Sequence, residues 1–555
     1  MTIAKSADST VGEDGTDRRL VRNPVLPGFH PDPSILRVGS DYYIATSTFE
    51  WYPGVRVHHS TDLVSWQPRG GVLTERRLLD LAGTADSCGI WAPNLTYAHG
   101  LFHLLYTDVS TFAGGYWDPQ NYLVTAPSID GPWSDPVVLH GRGFDASLFH
   151  DEDGVTWMLS MRADWRPGRN RFAGIEIQQY DHRERRLTGP VHLIFEGTDA
   201  GLTEAPNVYR KDGWYYLVTA EGGTSWEHQV TVARSRSLLG DYEVSPGGPL
   251  LTSAGRPELA LQKAGHGSLV QTPAGEWYLA HLVARPYTPS GRCVLGRETA
   301  LQEVAWPPGE WPHIRDGVPA EHFPAPAGAP HEPGPRSSEQ FEVDHFDGPE
   351  LGANWSTLRR PSTPDWADLS AHPSHLRIRG GQSPMGLHRP SLVARRVTAR
   401  HCTFEATCEF EPRNSRQLAG VTAYYNSRNW YYLHVTADDE GAAVLDVLCC
   451  DSGRVMVPPG LRVPLGDVRR VGLRTRLDGP ALTFGYSTGP DEEPFWHDIG
   501  RVFDATTLSD EYAATIVPGE PEAWGFTGAF LGLWVQDLGG EGGYADFDRA
   551  LYRAD

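Results

Sequence analysis

Three carboxylates and a histidine stand at corresponding places in a motif that the chain repeats. The motif occurs as Asp32-Pro-Ser-Ile, Ala92-Pro-Asn-Leu, Asp145-Ala-Ser-Leu, Glu204-Ala-Pro-Asn and His266-Gly-Ser-Leu. Two carboxyl groups, one protonated and one ionised, can act as the general acid and the general base of glycoside hydrolysis. If the fold crowds Asp32, Asp145 and Glu204 together, repulsion and burial raise the pKa of some of them and create that division.

His266 is the fourth polar residue of this set. Its imidazole could hold a metal ion, a water molecule or a substrate hydroxyl, and with the carboxylates it could form a metal cage. The hydrolase interpretation ranks above the cage because a glycosidase site needs the same residues. We assign no metal ligand and expect no required cofactor. A structural calcium or sodium ion in the channel near His266 stays an open alternative.

Aromatic-rich strands follow each motif and predict the framework that positions these side chains. They begin at residues 41, 100, 154, 213 and 275, each beside a Gly or Asp turn. A third element recurs after them, as in Ser60-Thr-Asp-Leu-Val-Ser-Trp and Ser128-Ile-Asp-Gly-Pro-Trp. Units of four strands repeated five times predict a five-bladed β-propeller. The first strand of each blade lines the central channel, so the motif residues should meet there.

A proline-rich segment divides the chain. Nine prolines fall between Pro307 and Pro335, a composition typical of an extended, semi-rigid linker, and Trp311, Ile314 and Phe323 should pin it to a surface. Short alternating strands after it predict a β-sandwich. The all-β chain is expected to divide into a polar tail (1–19), a propeller catalytic domain (20–306), a linker (307–339) and a β-sandwich (340–555).

Composition narrows the class of protein. The 555 residues carry a net charge of −22, which disfavours a nucleic-acid partner. No apolar run is long enough to predict a membrane span, and the first twenty residues lack the apolar core of a secretory signal. We therefore expect a cytoplasmic protein. Six cysteines without a Cys-x-x-Cys pair predict neither a disulfide scaffold nor a cysteine zinc site.

Longer stretches around these residues carry a family resemblance. They read Asn23-Pro-Val-Leu-Pro-Gly-Phe-His-Pro-Asp-Pro-Ser, Gly89-Ile-Trp-Ala-Pro-Asn, Phe144-Asp-Ala-Ser-Leu-Phe, Thr203-Glu-Ala-Pro-Asn, Gly265-His-Gly-Ser-Leu and Leu295-Gly-Arg-Glu-Thr. In this order they resemble glycoside hydrolase family 43, in its β-xylosidase/α-L-arabinofuranosidase type. The second half, from Phe346-Asp-Gly to Tyr544-Ala-Asp-Phe-Asp, is similar to that type's C-terminal concanavalin A-like sandwich.

The resemblance implies roles for individual residues. Asp32 would be the general base, Glu204 the general acid, and Asp145 the group that modulates the pKa of the acid and orients it. Such enzymes invert the anomeric configuration. Arg297 resembles the family's arginine near the pocket, where its charge would keep a carboxylate ionised and could bind a sugar hydroxyl.

Substrate contacts are also implied. Phe49 and Trp91 occupy places where aromatic walls of the subsite would lie, and His266 would face the sugar. A loop of the sandwich caps the pocket in such enzymes, and Phe526 in Gly525-Phe-Thr-Gly-Ala-Phe is the candidate. A capped pocket implies exo action, with xylose released from the non-reducing end of β-1,4-xylo-oligosaccharides.

Several alternatives stay open. The same residues would serve an α-L-arabinofuranosidase or a bifunctional enzyme. Fructan hydrolases share the architecture, but their Asn-Asp-Pro-Asn and Arg-Asp-Pro elements do not occur here. A non-catalytic carbohydrate-binding protein would not need three axial carboxylates. The sandwich could serve as a polymer-binding module instead of closing the pocket, and the chain could form a homo-oligomer.

Overall fold

Strands account for nearly all regular structure in the chain. The computed structural model describes residues 9–11, 17–112, 116–287, 291–329, 337–489, 494–514 and 524–555. Within these ranges the helical elements are two 3₁₀ turns, Arg315–Gly317 and Ala505–Thr507, and one short helix, α1 (Asp510–Ala513). The all-β prediction is confirmed.

Five antiparallel sheets follow one another along the first half and form blades I to V. Blade I comprises β3 (Ser34–Val38), β4 (Asp41–Thr46), β6 (Gly54–Ser60) and β7 (Gln67–Leu73). Blade II comprises β8 (Gly89–Ala98), β9 (Leu101–Val109), β10 (Pro119–Ala126) and β11 (Val137–Val138). Blade III comprises β12 (Ser147–His150), β13 (Thr156–Ala163), β14 (Phe172–Asp181) and β15 (Arg186–Phe195).

The last two blades depart from the predicted four strands. Blade IV contains β16 (Glu204–Lys211), β17 (Trp214–Glu221), β18 (Gln229–Ser235) and two short strands that both pair with β18, β19 (Glu243–Val244) and β20 (Leu251–Thr252). Blade V, as far as its residues are described, contains β21 (Gln262–Gln271), β22 (Trp277–Ala284) and β23 (Glu298–Val304). Its edge is covered by the N-terminal segment, where Leu26 and Thr299 form an isolated bridge.

The first strands of the blades form a ring. Strand β3 contacts β8, β8 contacts β12, β12 contacts β16, β16 contacts β21, and β21 returns to β3. Apolar side chains from neighbouring blades fill the space between the sheets, as Ile44 and Leu301 do between blades I and V. The predicted five-bladed propeller is confirmed.

Two packed sheets form the sandwich. One contains β25 (Phe341–Asp344), β27 (Ala367–Asp368), β28 (Leu376–Arg379), β30 (His401–Glu409), β36 (Arg470–Asp478), β37 (Ala481–Ser487), β38 (His497–Asp504) and β40 (Tyr544–Ala554). The other contains β26 (Ser356–Leu358), β29 (Leu392–Arg396), β31 (Gln417–Asn426), β32 (Asn429–Ala437), β33 (Ala443–Asp451), β34 (Arg454–Met456), β35 (Val463–Gly466) and β39 (Phe530–Asp537). Along β36, Val471, Leu473 and Leu477 alternate with more exposed residues, as in a sheet with one buried face.

A strand from the propeller half joins the second sheet. β5 (Trp51–Tyr52) pairs with β26, with Tyr52 opposite Thr357. Trp51 is buried, and its ring stacks on Phe530 of β39 with centroids 3.8 Å apart and planes 14° apart. The two halves therefore share a backbone ladder and an aromatic contact.

A buried ion pair lies beside that ladder. Arg359 of the second half donates from Nη2 to Asp86 Oδ1 at 2.6 Å and from Nε to the carbonyl of Thr84 at 2.7 Å. Ser427 donates its hydroxyl proton to the other oxygen of Asp86. Arg359 is completely buried, so its charge is compensated within the protein.

The proline-rich segment lies partly against the propeller. β24 (His322–Pro324) pairs with β2 (Asp17–Arg22), which also pairs with β1 (Ser9–Val11). Ile314 and Phe323 are buried, as expected. Residues 17–19 belong to β2 and not to a loose polar tail, and most of the rest of that predicted tail lies outside the described residues.

All six cysteines are free and buried. Among the helices in the described ranges, none has the length and apolar character needed to cross a membrane.

The ion pair between the halves gives the first prediction. Arg359→Met should destabilise the protein by about 3–5 kcal/mol, because the substitution leaves the partly buried carboxylate of Asp86 without its partner. The measurement is the midpoint of urea unfolding. Arg69→Met is the matched control, since Arg69 pairs with Asp130 on the exposed surface, where a pair contributes about 0–1 kcal/mol. Equal midpoints for the two variants would contradict the expectation.

Candidate active site

A cavity of about 450 Å³ opens at one end of the propeller axis. Its lining includes the side chains of Asp32, Asp145 and Glu204, together with His266 and Arg297. The structure therefore brings together the predicted carboxylates, the histidine and the arginine, which come from four different blades and the loop before β23.

Asp32 and Asp145 reach the cavity through the same backbone geometry. Each lies two residues before the serine that begins an inner strand, Ser34 in β3 and Ser147 in β12. Their φ angles are 56° and 54°, in the left-handed region that aspartate tolerates better than most side chains. This turn directs both carboxylates to the axis before the strands begin.

Glu204 does not occupy the equivalent position, which corrects the predicted alignment of the repeats. The pair Asn207 and Val218 in blade IV lies at the same place in its hairpin as the pair Ser34 and Ala45 in blade I. Asp32 lies two residues before Ser34, so the matching residue lies two before Asn207. It is Ala205, with φ of 52°. Glu204 instead corresponds to Trp91. A β-bulge lies between Glu204 and Asn207, and bulges re-aim side chains. Because of this bulge, the side chain of Glu204 faces the same cavity, although Glu204 lies one residue before the position that matches Asp32.

Asp32 accepts hydrogen bonds from two side chains. Ser47 donates its hydroxyl proton to Oδ2 at 2.7 Å, and Arg297 donates from Nη1 to Oδ1 at 2.9 Å. His266 lies further away, with Nδ1 3.7 Å from Oδ1. The guanidinium supplies a positive charge beside a buried carboxylate, and charge-assisted bonds of this kind are strong.

Asp145 and Glu204 lie in a different electrostatic environment. Burial raises the pKa of Asp145 well above its usual range, and the negative charge of Asp32 raises it further. Burial likewise raises the pKa of Glu204 well above its usual range, with added repulsion from Asp145 and Asp32. Arg297 opposes both shifts. The cavity therefore favours protonation at the pair Asp145 and Glu204.

Arg297 connects the carboxylates to the sandwich. Besides Asp32, it donates to the hydroxyl of Thr224 at 3.1 Å and to the carbonyl oxygen of Phe526 at 3.0 Å. Its guanidinium also lies 5.4 Å from the ring centre of Phe49 and 5.5 Å from that of Phe526. These contacts fix the arginine between the two domains.

Aromatic rings form the walls of the cavity. Phe49 and Trp91 line it, with ring centres 6.0 Å apart. Phe526, which comes from the sandwich, also lines it and lies 5.5 Å from Trp91 and 6.1 Å from Phe49. The backbone N–H of Phe526 donates to Ser87. The structure thus places the sandwich loop at the pocket.

Other lining residues were not predicted. Phe112, Trp117 and Trp524 extend the aromatic wall, and Thr224 accepts from Arg297. Ser47, which lies behind the lining, donates to Asp32. Ser47 follows the strand that begins at Asp41, and Thr224 follows the one that begins at Trp214, so an alignment of strand ends could have suggested both. Trp524 comes from a distant part of the chain, and no local pattern indicates it.

Three groups of side chains in the described residues lie close enough to hold a metal ion, and none includes the carboxylates of the cavity. They are His30, His58 and Glu339; His99, His150 and His182; and His372, His375 and Glu409. An ion near His266 stays a prediction.

Comparisons with known proteins agree with this geometry. The sequence model of glycosyl hydrolases family 43 matches residues 21–312, and that of the beta xylosidase C-terminal concanavalin A-like domain matches residues 343–553. The chain is 44% identical to the xylosidase/arabinosidase 43B of Humicola insolens, over 96% of this chain and 97% of that protein. It is 43% identical to a beta-xylosidase of Bacillus subtilis (strain 168), over 96% of this chain and 99% of that protein.

A solved structure is similar along its whole length. The xylan beta-1,4-xylosidase from Bacillus halodurans C-125 superposes with a TM-score of 0.91 at 47% identity, and the match covers 96% of this chain and 100% of that one. The family model spans the propeller, and the relatives match almost end to end. The chain therefore belongs to glycosyl hydrolases family 43.

Proposed function

We propose that this glycoside hydrolase is an exo-acting, inverting β-xylosidase that releases xylose from the non-reducing end of β-1,4-xylo-oligosaccharides. One observation carries the proposal: Asp32, Asp145 and Glu204 share a cavity with Arg297, and residues of the sandwich line one side of it. The names of the similar proteins support xylosides as the substrate class.

The electrostatics support a division of roles. Glu204, whose pKa is raised by burial and by Asp145, is proposed to donate its proton to the departing glycosidic oxygen. Asp32, held by Arg297 and Ser47, is proposed to take a proton from the attacking water. Attack from the face opposite the leaving group inverts the anomeric centre. Asp145 is proposed to keep the pKa of the acid high.

The aromatic wall supports exo action. Phe49, Trp91 and Phe526 enclose the side of the cavity next to Arg297. Their flat rings offer apolar surface to the faces of a sugar ring. A cavity of about 450 Å³ that is closed on this side favours a terminal sugar over the middle of a polymer.

A second candidate activity is that of an α-L-arabinofuranosidase, alone or together with xylosidase activity. It is favoured by the similarity to a protein named xylosidase/arabinosidase. The same acid and base would act on a furanoside, so the shape of the aromatic wall has to decide between the two substrates.

Further features predicted from the sequence stay proposals. They are the domain boundaries, an activity that needs no cofactor, a cytoplasmic location and homo-oligomer formation.

Substrate preference is tested with 4-nitrophenyl β-D-xylopyranoside and 4-nitrophenyl α-L-arabinofuranoside at matched concentrations. We expect a higher kcat/KM for the xyloside. NMR of the xylose released from 4-nitrophenyl β-D-xylopyranoside should show the α-anomer before mutarotation, because inversion turns the β-linkage into the α-anomer. A strong preference for the arabinoside would favour the second candidate, and β-xylose as first product would exclude inversion.

Single substitutions test the acid and the base. Glu204→Gln and Asp32→Asn should each lower kcat on xylobiose by about 10²–10⁴-fold, the usual contribution of a general acid or base. The matched control is Glu243→Gln, an exposed residue of blade IV, which should leave kcat unchanged. Native turnover by Glu204→Gln would remove Glu204 from the mechanism.

The pH profile tests Asp145. A general acid loses activity as the pH rises through its pKa, so the raised pKa of Glu204 sets the alkaline limb of kcat. Asp145→Asn removes a negative charge that raises this pKa, and the alkaline limb should therefore move to lower pH. The measurement is kcat against pH for both proteins. If the alkaline limb lies at the same pH in the native protein and in Asp145→Asn, Asp145 does not modulate the pKa of the acid.

A further inference from the structure

Histidine side chains gather where blades II and III meet, away from the candidate active site. His99, His150 and His182 each place one ring nitrogen so that the three nitrogens lie within 4.8 Å of one another. The ring of buried His103 packs 5.2 Å from that of His150 and 5.3 Å from that of His182. The sequence analysis gives these histidines no role.

The topology separates this cluster from the cavity. Asp145 lies just before β12 at the cavity, whereas His150 ends that strand, so about 16 Å of extended chain lies between them. His99 stands in the turn between β8 and β9 of blade II, and His182 follows β14 of blade III. The cluster therefore joins two neighbouring blades at the end of the propeller opposite the cavity.

The backbone at His99 brings its ring into the cluster. Ala98 pairs with Leu101, and the two residues between them have φ angles of 54° at His99 and 76° at Gly100. Two left-handed residues make a type I′ turn, in which asparagine, aspartate or glycine is preferred at the first position. A histidine there adds an imidazole that packs 4.9 Å from the ring of His182.

Two threonine hydroxyls orient the other two rings. Thr156 Oγ1 lies 2.9 Å from Nδ1 of His150 and 2.7 Å from Nε2 of His182. Thr96 Oγ1 lies 2.9 Å from Nε2 of His150. In metal sites the nitrogen of a ligating histidine that does not bind the ion usually donates its N–H to a carboxylate, a backbone carbonyl or water, and a threonine oxygen can accept in the same way. When His150 binds an ion through Nε2, that nitrogen gives up the hydroxyl of Thr96, and Thr156 still holds Nδ1.

Charge distinguishes this cluster from the other two groups of potential ligands. Arg396 acts on His30 in the group with His58 and Glu339, and Arg470 forms an ion pair with Glu409 in the group with His372 and His375. An added cation would meet an arginine in both places. The charged neighbour that acts on His182 besides the histidines is Asp181, whose carboxylate attracts a cation and is itself acted on by Arg183 and Arg186.

We propose that His99, His150 and His182 bind a zinc-type transition-metal ion that links blades II and III. Three imidazole nitrogens suit Zn²⁺ and its neighbours in the first transition row better than the oxygen-seeking Ca²⁺ or Mg²⁺. Tetrahedral Zn–N bonds of about 2.0–2.1 Å place ligand nitrogens about 3.4 Å apart, which small side-chain rotations provide. His99 is exposed, so an ion can enter and a water molecule can complete the coordination.

Zinc content is the first test. The full chain, purified without a histidine tag and stripped with EDTA, is dialysed against Zn²⁺ and its bound metal is measured. We expect the native chain to bind one more ion than His99→Gln/His182→Gln, while His375→Gln, the control in another histidine group, retains the native content. Thr156→Val should weaken zinc binding by about 10–100-fold.

Two further readouts separate ligation from a structural effect. Co²⁺ in the native chain should give the visible absorption of a nitrogen-ligated ion, and His99→Gln alone, in an exposed turn, should lose it while keeping the native circular dichroism. Zn²⁺ should raise the Tm of the native chain but not of the double variant. The native chain and the double variant should hydrolyse xylobiose with the same kcat. No zinc bound by the native chain, or equal zinc bound by the double variant, would overturn the proposal.

Discussion

The burial of three carboxylates around one arginine is the constraint on which the rest of the site depends. A carboxylate away from water is unfavourable unless a positive charge or a proton compensates it. Arg297 donates to Asp32, and the pKa values of Asp145 and Glu204 are raised. One cavity therefore holds an acceptor and a proton donor side by side, which is the division that a glycoside hydrolase requires.

Both domains take part in maintaining this arrangement. The propeller places the carboxylates through left-handed residues and a bulge at the starts of its inner strands. The sandwich supplies the carbonyl of Phe526 that accepts from Arg297, and the ladder between β5 and β26 holds the domains together. The arginine that compensates Asp32 is thus itself held by the second domain, so the sandwich contributes to the electrostatics of the site.

The sequence alone was sufficient to predict the parts of the fold that show a local repeat, namely the blades of the propeller and the alternating strands of the sandwich. The alternating pattern after the proline-rich segment predicted a β-sandwich, and two packed sheets are found there. The alignment at Glu204 was wrong because the carboxylate itself was matched to Asp32, although Ala92-Pro-Asn and Ala205-Pro-Asn already indicate Ala205 for that position. The one-residue shift in pairing at Glu204 also occurs between Trp91 and Asn94 of blade II. Trp524 and the histidine cluster depend on tertiary contacts between residues far apart in sequence, which no local pattern encodes.

The most direct test of the account is the protonation of Glu204 itself. Carbon-13 NMR of the protein labelled at glutamate carboxyl carbons, with Glu204→Gln used to assign the signal, gives the pKa of this group. The account predicts a pKa well above the usual range of glutamate, which falls when Asp145 is replaced by asparagine. An ordinary pKa that does not respond to that substitution would contradict the claim that buried charge makes Glu204 the acid.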